Sequence, residues 1–250
     1  MAPSDAAALD SVRCGTSAAT IITETPPRTG PVAFSAGERL EYRVSFGKVH
    51  VGSGNMTLWG RDTVRGQSVW RASFTIAGGF WPFKVRDSIT SWFDSLTFTS
   101  VRSARNQREP GYKADKVFEI FPDRRTYKQN NDPEQPSVEN PLDDVSFVYF
   151  VRSLSLVPGQ CYELRRYFRP EGNPVVIRVE RRETVTVPAG SFSAILVRPE
   201  ITTSAIFSNN GRAELWLSDD SVHVPLKLQT SLSFGSINLY LSKVERTASP

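Results

Sequence analysis

The chain has 250 residues, 39% of them apolar and 22% charged, with two cysteines, two histidines and a formal net charge of +4. A chain of this length buries most of its unfolded surface without a structural metal or dense disulfides, and its ordinary composition excludes a disordered or collagen-like protein. Basic residues are spread along the sequence with no nucleic-acid motif, which argues against a nucleic-acid partner, and no apolar run reaches transmembrane length.

Residues 1–31 read as an extended N-terminal arm, rich in Ala, Ser, Thr and Pro. Such a segment is mobile unless something holds it. Met1-Ala2-Pro3-Ser4-Asp5 has neither the basic start nor the apolar stretch of a secretory signal, so the chain reads as processed or as cytoplasmic. Residues 32–246 read as one β domain. From Phe34 the period becomes two: Leu40, Tyr42, Val44 and Phe46 alternate with Arg39, Glu41, Arg43 and Ser45. Further strands follow to about residue 128, broken by Gly47-Lys48, a polar turn at 61–67 and an apolar loop, Gly78-Gly79-Phe80-Trp81-Pro82-Phe83. A second set of strands fills residues 157–246, with turns at Pro188-Ala189-Gly190 and Ser218-Asp219-Asp220-Ser221.

Between the two sets lies the one stretch with a helical pattern, residues 140–154. Asn140 suits the cap, Pro141 the first turn, and Asp143 and Asp144 the positive end of the dipole. Leu142, Val145, Phe147, Val148, Phe150, Val151 and Leu154 cover more than one stripe, so the helix should be enclosed. Landmarks recur at an offset of roughly 120 residues: Ala36-Gly37-Glu38-Arg39-Leu40-Glu41-Tyr42 against Pro158-Gly159-Gln160-Cys161-Tyr162-Glu163-Leu164, and Ser91-Trp92-Phe93-Asp94 against Leu215-Trp216-Leu217-Ser218-Asp219. Two similar halves, about 34–128 and 157–246, account for this order; a single β domain with ordinary alternation accounts for each match alone. The expected fold is mainly β, a strongly curved antiparallel sheet or open barrel built from two similar halves, with one buried helix (about 140–154) on its concave face.

Phe34 to Tyr42 with Val51-Gly52-Ser53-Gly54, then Pro141-Leu142-Asp143-Asp144, Val187-Pro188-Ala189-Gly190-Ser191-Phe192, Trp216-Leu217-Ser218-Asp219-Asp220 with Pro225, and Gly235-Ser236-Ile237 together resemble the bacterial domain of unknown function 3108. The resemblance runs from about residue 34 to 244. It implies an extracytoplasmic, mostly β protein, distantly similar to periplasmic lipoprotein carriers, and it brings no catalytic residues.

The residues themselves name no catalytic, metal or cofactor site. His50 and His223 lie in strand-like stretches with no nucleophile motif. Asp143-Asp144 and Asp219-Asp220 are explained by a helix start and a turn. Cys161 shares a face with Glu163 by alternation, while Tyr162 and Leu164 face inward, so Cys14 and Cys161 either form a disulfide, which would suit an oxidising compartment, or remain two free thiols. Phe80, Trp81 and Phe83, with Ile206 and Phe207 as their counterpart, are candidates for contact with a partner or membrane. Two basic groups, Arg102 to Lys128 and Arg165 to Arg182, could line stripes facing phosphate or an acidic protein. The expectation is therefore a non-enzymatic, periplasmic or extracytoplasmic β scaffold that binds other proteins at a membrane surface. It would act as an extrinsic accessory subunit, for example of an electron-transfer or photosynthetic complex, with anionic lipid as a further candidate partner and no cofactor. The alternative is a carrier or binding protein for a lipid or other apolar molecule.

Overall fold

The structure, a computed structural model, describes residues 14, 20–22, 34–80, 83–200, 213–232 and 235–246. Among them, fifteen strands form one sheet. They are β1 (Thr20–Ile22), β2 (Arg39–Phe46), β3 (Val49–Val64), β4 (Gln67–Phe80), β5 (Phe83–Phe93), β6 (Ser100–Glu109), β7 (Tyr112–Phe121), β8 (Thr126–Gln129) and β9 (Gln135–Pro136). After the helix α1 (Asp144–Val151) come β10 (Gln160–Leu164), β11 (Val175–Val187), β12 (Gly190–Glu200), β13 (Ala213–Ser218), β14 (Pro225–Leu232) and β15 (Gly235–Glu245).

The strand order is β1-β10-β11-β12-β13-β14-β15-β2-β3-β4-β5-β6-β7-β8-β9. Every pair is antiparallel except β1 with β10. The strands that follow the helix, β10 to β15, thus form one run with β1 at its edge, and β2 to β9 form another, joined where β15 pairs with β2. The order corrects one expectation. The sheet is neither closed nor strongly curved: it is open, with β1 and β9 at its two edges, so α1 lies on one face of an open sheet rather than inside a barrel's concavity. Alternation assigns side chains to faces; it carries no information on how far a ladder bends or whether its edges meet.

Alternation does place the core. Leu40, Tyr42 and Val44 are buried on one face, and their partners across the ladders, Met56 on β3 and Leu239 and Leu241 on β15, join the same cluster. On β10, Tyr162 and Leu164 belong to that core while Cys161 sits on the opposite face with Cys14 and Val176. Gly52 and Gly78 oppose each other across β3 and β4. A Cβ on Gly52 would stand 2.2 Å from the Ala77 carbonyl oxygen, so this close approach admits only glycine.

Of the segment expected to be an arm, Cys14 and β1 fall within the described residues, and both are fastened to β10. Cys14 and Cys161 form a disulfide with a Cα–Cα distance of 6.0 Å, and Thr20, Ile21 and Ile22 pair with Gln160, Cys161 and Tyr162. A three-residue strand adds few hydrogen bonds, so the covalent link is what keeps the β10 edge covered, and a covered edge cannot template pairing with another chain. The bond spans 147 residues of sequence. Replacing both cysteines by serine should therefore lower stability by about 2–5 kcal/mol. Urea unfolding of the oxidised protein and the variant checks this, and amide exchange should rise first at residues 160–164.

Candidate functional site

Helix α1 is eight residues long, with seven of them buried. It begins later than the sequence suggested. Leu142 is held extended by a parallel bridge to Tyr167, its N–H donating to the Arg166 carbonyl and its own carbonyl accepting from Phe168. Asn140 and Pro141 therefore precede the helix, Asn140 with a φ of 47°, and Asp143 is the cap. Its carboxylate accepts from the backbone N–H groups of Val145 (2.9 Å) and Ser146 (3.0 Å), and the Ser146 hydroxyl accepts from the N–H of Asp143 (3.0 Å). This reciprocal arrangement satisfies the free donors of the first turn.

The cap is buried, and its remaining partners come from the sheet. The Ser91 hydroxyl on β5 donates to Asp143 Oδ2 at 2.5 Å, and Ser100 on β6 shares a 2.7 Å hydrogen bond with Ser146. Burial pushes the Asp143 carboxyl up to about 6, against the opposing pull of the Ser91 hydroxyl and the helix N–H groups. Asp144, next in sequence, accepts from Arg105 on β6 and from the Tyr167 hydroxyl (3.2 Å). Burial raises its carboxyl as well, with the Arg105 charge acting against the rise.

Asp144 also lines a cleft between α1 and the sheet. The other walls are Tyr42, Met56, Phe74, Val145, Val148, Leu215, Pro225, Leu228 and Leu239. The depression spans about 480 Å³ with its open mouth included, but its free cavity volume is only about 40 Å³. The helix thus fills most of the space that its own face and the sheet define.

At its other end α1 leads into Arg152, a fully buried guanidinium. Its two terminal nitrogens donate to the Glu38 carboxylate at 2.6 and 3.1 Å, and it lies 4.6 Å from the Phe34 ring centroid and 5.3 Å from that of Tyr149. The Arg152 carbonyl accepts from His223 Nδ1 at 2.9 Å, which places the proton of that ring on Nδ1. Neither Glu38 nor Arg152 was singled out in the sequence. The available signal was a lone charge, Arg152, ending an apolar helical run.

The residues expected to act fall out as follows. His50 is exposed on β3, donating to the Val44 carbonyl at 3.1 Å, so neither histidine stands beside a nucleophile. Asp219 accepts from Arg182, and Asp220 accepts from Ser218 and from the N–H groups of Val222 and His223 in a turn. Among the described residues no group of three or more His, Cys, Asp or Glu side chains is arranged to hold a metal ion, and no helix is long and apolar enough to cross a membrane. Phe80 and Phe83 end β4 and begin β5, opposite one another; Trp81, Ile206 and Phe207 lie outside the described residues.

The two basic groups are largely matched by the chain's own carboxylates. Arg102 pairs with Glu119, Arg108 with Asp115, Arg124 with Glu134, Arg125 with Glu139, Arg181 with Glu183 and Arg182 with Asp219. Arg166 donates to the carbonyls of Asn140 (2.7 Å) and Thr97 (2.8 Å), and burial lowers its guanidinium to about 10. Arg169 differs. Its Nε is buried without a hydrogen-bond partner, and its guanidinium lies 4.9 Å from the Phe118 ring centroid and 5.3 Å from that of Phe168.

A family model described as protein of unknown function (DUF3108) matches residues 41–242. No curated protein matches the chain. Among solved structures, a β-barrel-like protein of domain of unknown function DUF1849 from Brucella abortus aligns with a TM-score of 0.55 at 9% identity, over 86% of this chain and 100% of that one. A Bacteroides fragilis protein with a YmcC-like fold aligns at 0.34 and 7% identity, over 88% of this chain and 100% of its own. The first of these likenesses concerns the fold.

Two outcomes follow from the ends of the helix. Folding raises the Asp143 pKa above its ordinary 3.8, so the folded state holds that proton more tightly than the unfolded chain. Its contribution to stability is therefore greatest below about pH 4 and is lost as pH rises through about 6. Asp143→Asn, which keeps an acceptor oxygen for the cap, should flatten that part of the stability–pH curve, measured by urea unfolding between those limits. Glu38→Gln leaves the Arg152 charge buried and unmatched and should cost about 3–5 kcal/mol, read by the same method at neutral pH.

Proposed function

This chain belongs to the DUF3108 family of proteins of unknown function, and on that footing we propose that it is a non-enzymatic, extracytoplasmic β scaffold that binds other proteins as an extrinsic subunit at a membrane surface. The Cys14–Cys161 disulfide supports the compartment, because such bonds persist where the surroundings are oxidising.

The observation that carries the reading is an apolar patch at one end of the sheet. Phe46, Val49 and Ile237 are neighbours across the β2–β3 and β15–β2 ladders. Phe46 is 38% and Val49 65% exposed, and Ile237 and Val51 are half-buried beside them. The antiparallel order brings the ends of β4 and β12 and the starts of β5 and β13 to this same end. Exposed apolar side chains that adjoin one another mark interaction sites far more often than scattered ones do. The matched charges of the basic groups leave this patch, rather than a basic stripe, as the better docking surface for a protein partner.

The helix–sheet cleft favours a second reading, a carrier of an apolar molecule. Its walls are apolar except at Asp144 and the Tyr42 hydroxyl, and that hydroxyl is engaged by the Pro225 carbonyl at 3.0 Å. Its free volume, about 40 Å³, counts against a bulky ligand.

A photo-crosslinking residue at Val49 in living cells should give adducts with another protein, whereas one at Leu96, more exposed still but at the opposite end of the sheet, should give none. Adducts from both positions, or from neither, would remove the basis of the scaffold reading.

A further inference from the structure

The outer face of the sheet, opposite α1, carries one local device twice. The β3–β4 ladder skips a residue at Trp59, between Leu58 and Gly60, and the β11–β12 ladder skips one at Glu180, between Val179 and Arg181. A bulge re-aims the side chain it frees. Two strands on from each bulged strand stands a tryptophan whose indole N–H donates back to it, Trp92 to Asp62 at 2.9 Å and Trp216 to Glu183. A cation from the following strand lies over each ring, Arg102 at 5.7 Å and Lys227 at 3.9 Å from the centroids.

The two places differ in what fills the bulge. Glu180 is matched by Arg198 at 3.2 Å, and Glu214 holds the same guanidinium at 2.8 Å, so that place is closed by charge. At the other stands Trp59, an indole 54% exposed. Its N–H donates to Ser73 Oγ at 2.9 Å, so the ring is held and offers its face. The Arg71 guanidinium lies 5.6 Å from the ring centroid. Its contact with Asp62 is 3.6 Å long, and it makes no hydrogen bond among the described residues. Beside the indole the outer face is paved with short polar side chains. Thr57, Ser73 and Thr90 form one row across β3, β4 and β5, and Asn55, Thr75 and Ser88 form the next. Thr57 is only 6% exposed, and its Oγ1 has no hydrogen-bond partner. A fixed aromatic face, a guanidinium with unspent donors and an idle hydroxyl together suit a ligand with an apolar face and a polar rim.

We propose that this surface binds a β-1,4-linked glycan, with one sugar ring stacked on Trp59. A pyranose ring carries C–H groups on its faces and hydroxyls around its rim, so it meets an indole face and short hydroxyl and amide side chains at once. A purely apolar ligand would leave the Ser73 and Arg71 groups beneath it unpaired. A nucleic acid would bring phosphates to a face whose other guanidinium, Arg102, is already matched by Glu119. Trp59 on β3 and Trp92 on β5 lie two strand spacings apart, roughly 10 Å. A straight β-1,4-linked chain turns the same ring face to one side once per disaccharide, a length close to that spacing. Laid across the strands, it reaches both indoles and runs its hydroxyls along the row of Thr57, Ser73 and Thr90. The site uses neither the apolar end around Phe46 and Val49 nor the helix–sheet cleft, so it stands or falls apart from both readings above.

The test titrates the full, oxidised chain with chitohexaose, and with maltohexaose, whose α-1,4 links curl the chain, by calorimetry and tryptophan emission. Chitohexaose should bind and shift the emission, and maltohexaose should bind at least about tenfold more weakly. Trp59→Ala should weaken chitohexaose by about tenfold or more, and Trp59→Tyr, which keeps a ring face, should recover part of that loss. Arg71→Gln should weaken it by about threefold or more. Val49→Asp, at the apolar end, should leave it within about twofold. Urea unfolding checks that each variant is folded; should Trp59→Ala not fold, Trp59→Tyr and Arg71→Gln decide. Absence of chitohexaose binding, or binding that the Trp59 and Arg71 variants leave unchanged, would overturn the site, and maltohexaose binding as tightly would overturn the straight β-linked chain.

Discussion

The structure depends on a constraint imposed by α1: a helix apolar around most of its girth must be enclosed, and its polar ends must then find partners inside the protein. An isolated eight-residue helix has little stability of its own. It forms here because both ends are satisfied from far along the chain. At the N-terminal end Asp143 and Ser146 close on each other, and Ser91 and Ser100 reach in from the sheet. At the C-terminal end Arg152 meets Glu38, a residue 114 positions earlier.

That pair explains why the two runs of strands hold together around the helix. Glu38 immediately precedes β2, its carbonyl accepts from Leu58 on β3, and its carboxylate fixes the guanidinium that follows α1. His223, in the turn before β14, donates to the Arg152 carbonyl. Strands from both runs thus meet at one buried ion pair, flanked by Phe34 and Tyr149. Such a pair adds little net stability over a well-packed apolar substitute, but breaking it by half is severe. Here it ties the residue that follows α1 to the start of β2.

The same geometry shapes the functional surfaces. Seating the helix leaves a shallow apolar groove bordered by Asp144 and open at its mouth. Fastening β1 to β10 through Cys14 and Cys161 closes one edge of the sheet, while β9, two residues long and ending in proline, makes a poor template at the other. With both edges blunted, the surface left exposed is made of side chains rather than backbone edges, and it includes the apolar end around Phe46 and Val49.

Much of this architecture could be read from the residues alone. Period-two alternation assigned Leu40, Tyr42 and Val44 to the core, and the all-round apolar run marked the buried helix. Alternation also put Cys161 on the face opposite Tyr162. These are local properties, set by backbone geometry that repeats every two or 3.6 residues. What the sequence could not supply were features decided between distant segments. Asp143 rather than Asn140 became the cap because Tyr167 pulls Leu142 into an extended bridge. The basic groups looked free because several of their carboxylates lie far off in sequence, Glu119 on β7 and Asp219 just after β13 among them. The sheet stayed open because closure depends on register between its two edges, which no local pattern encodes.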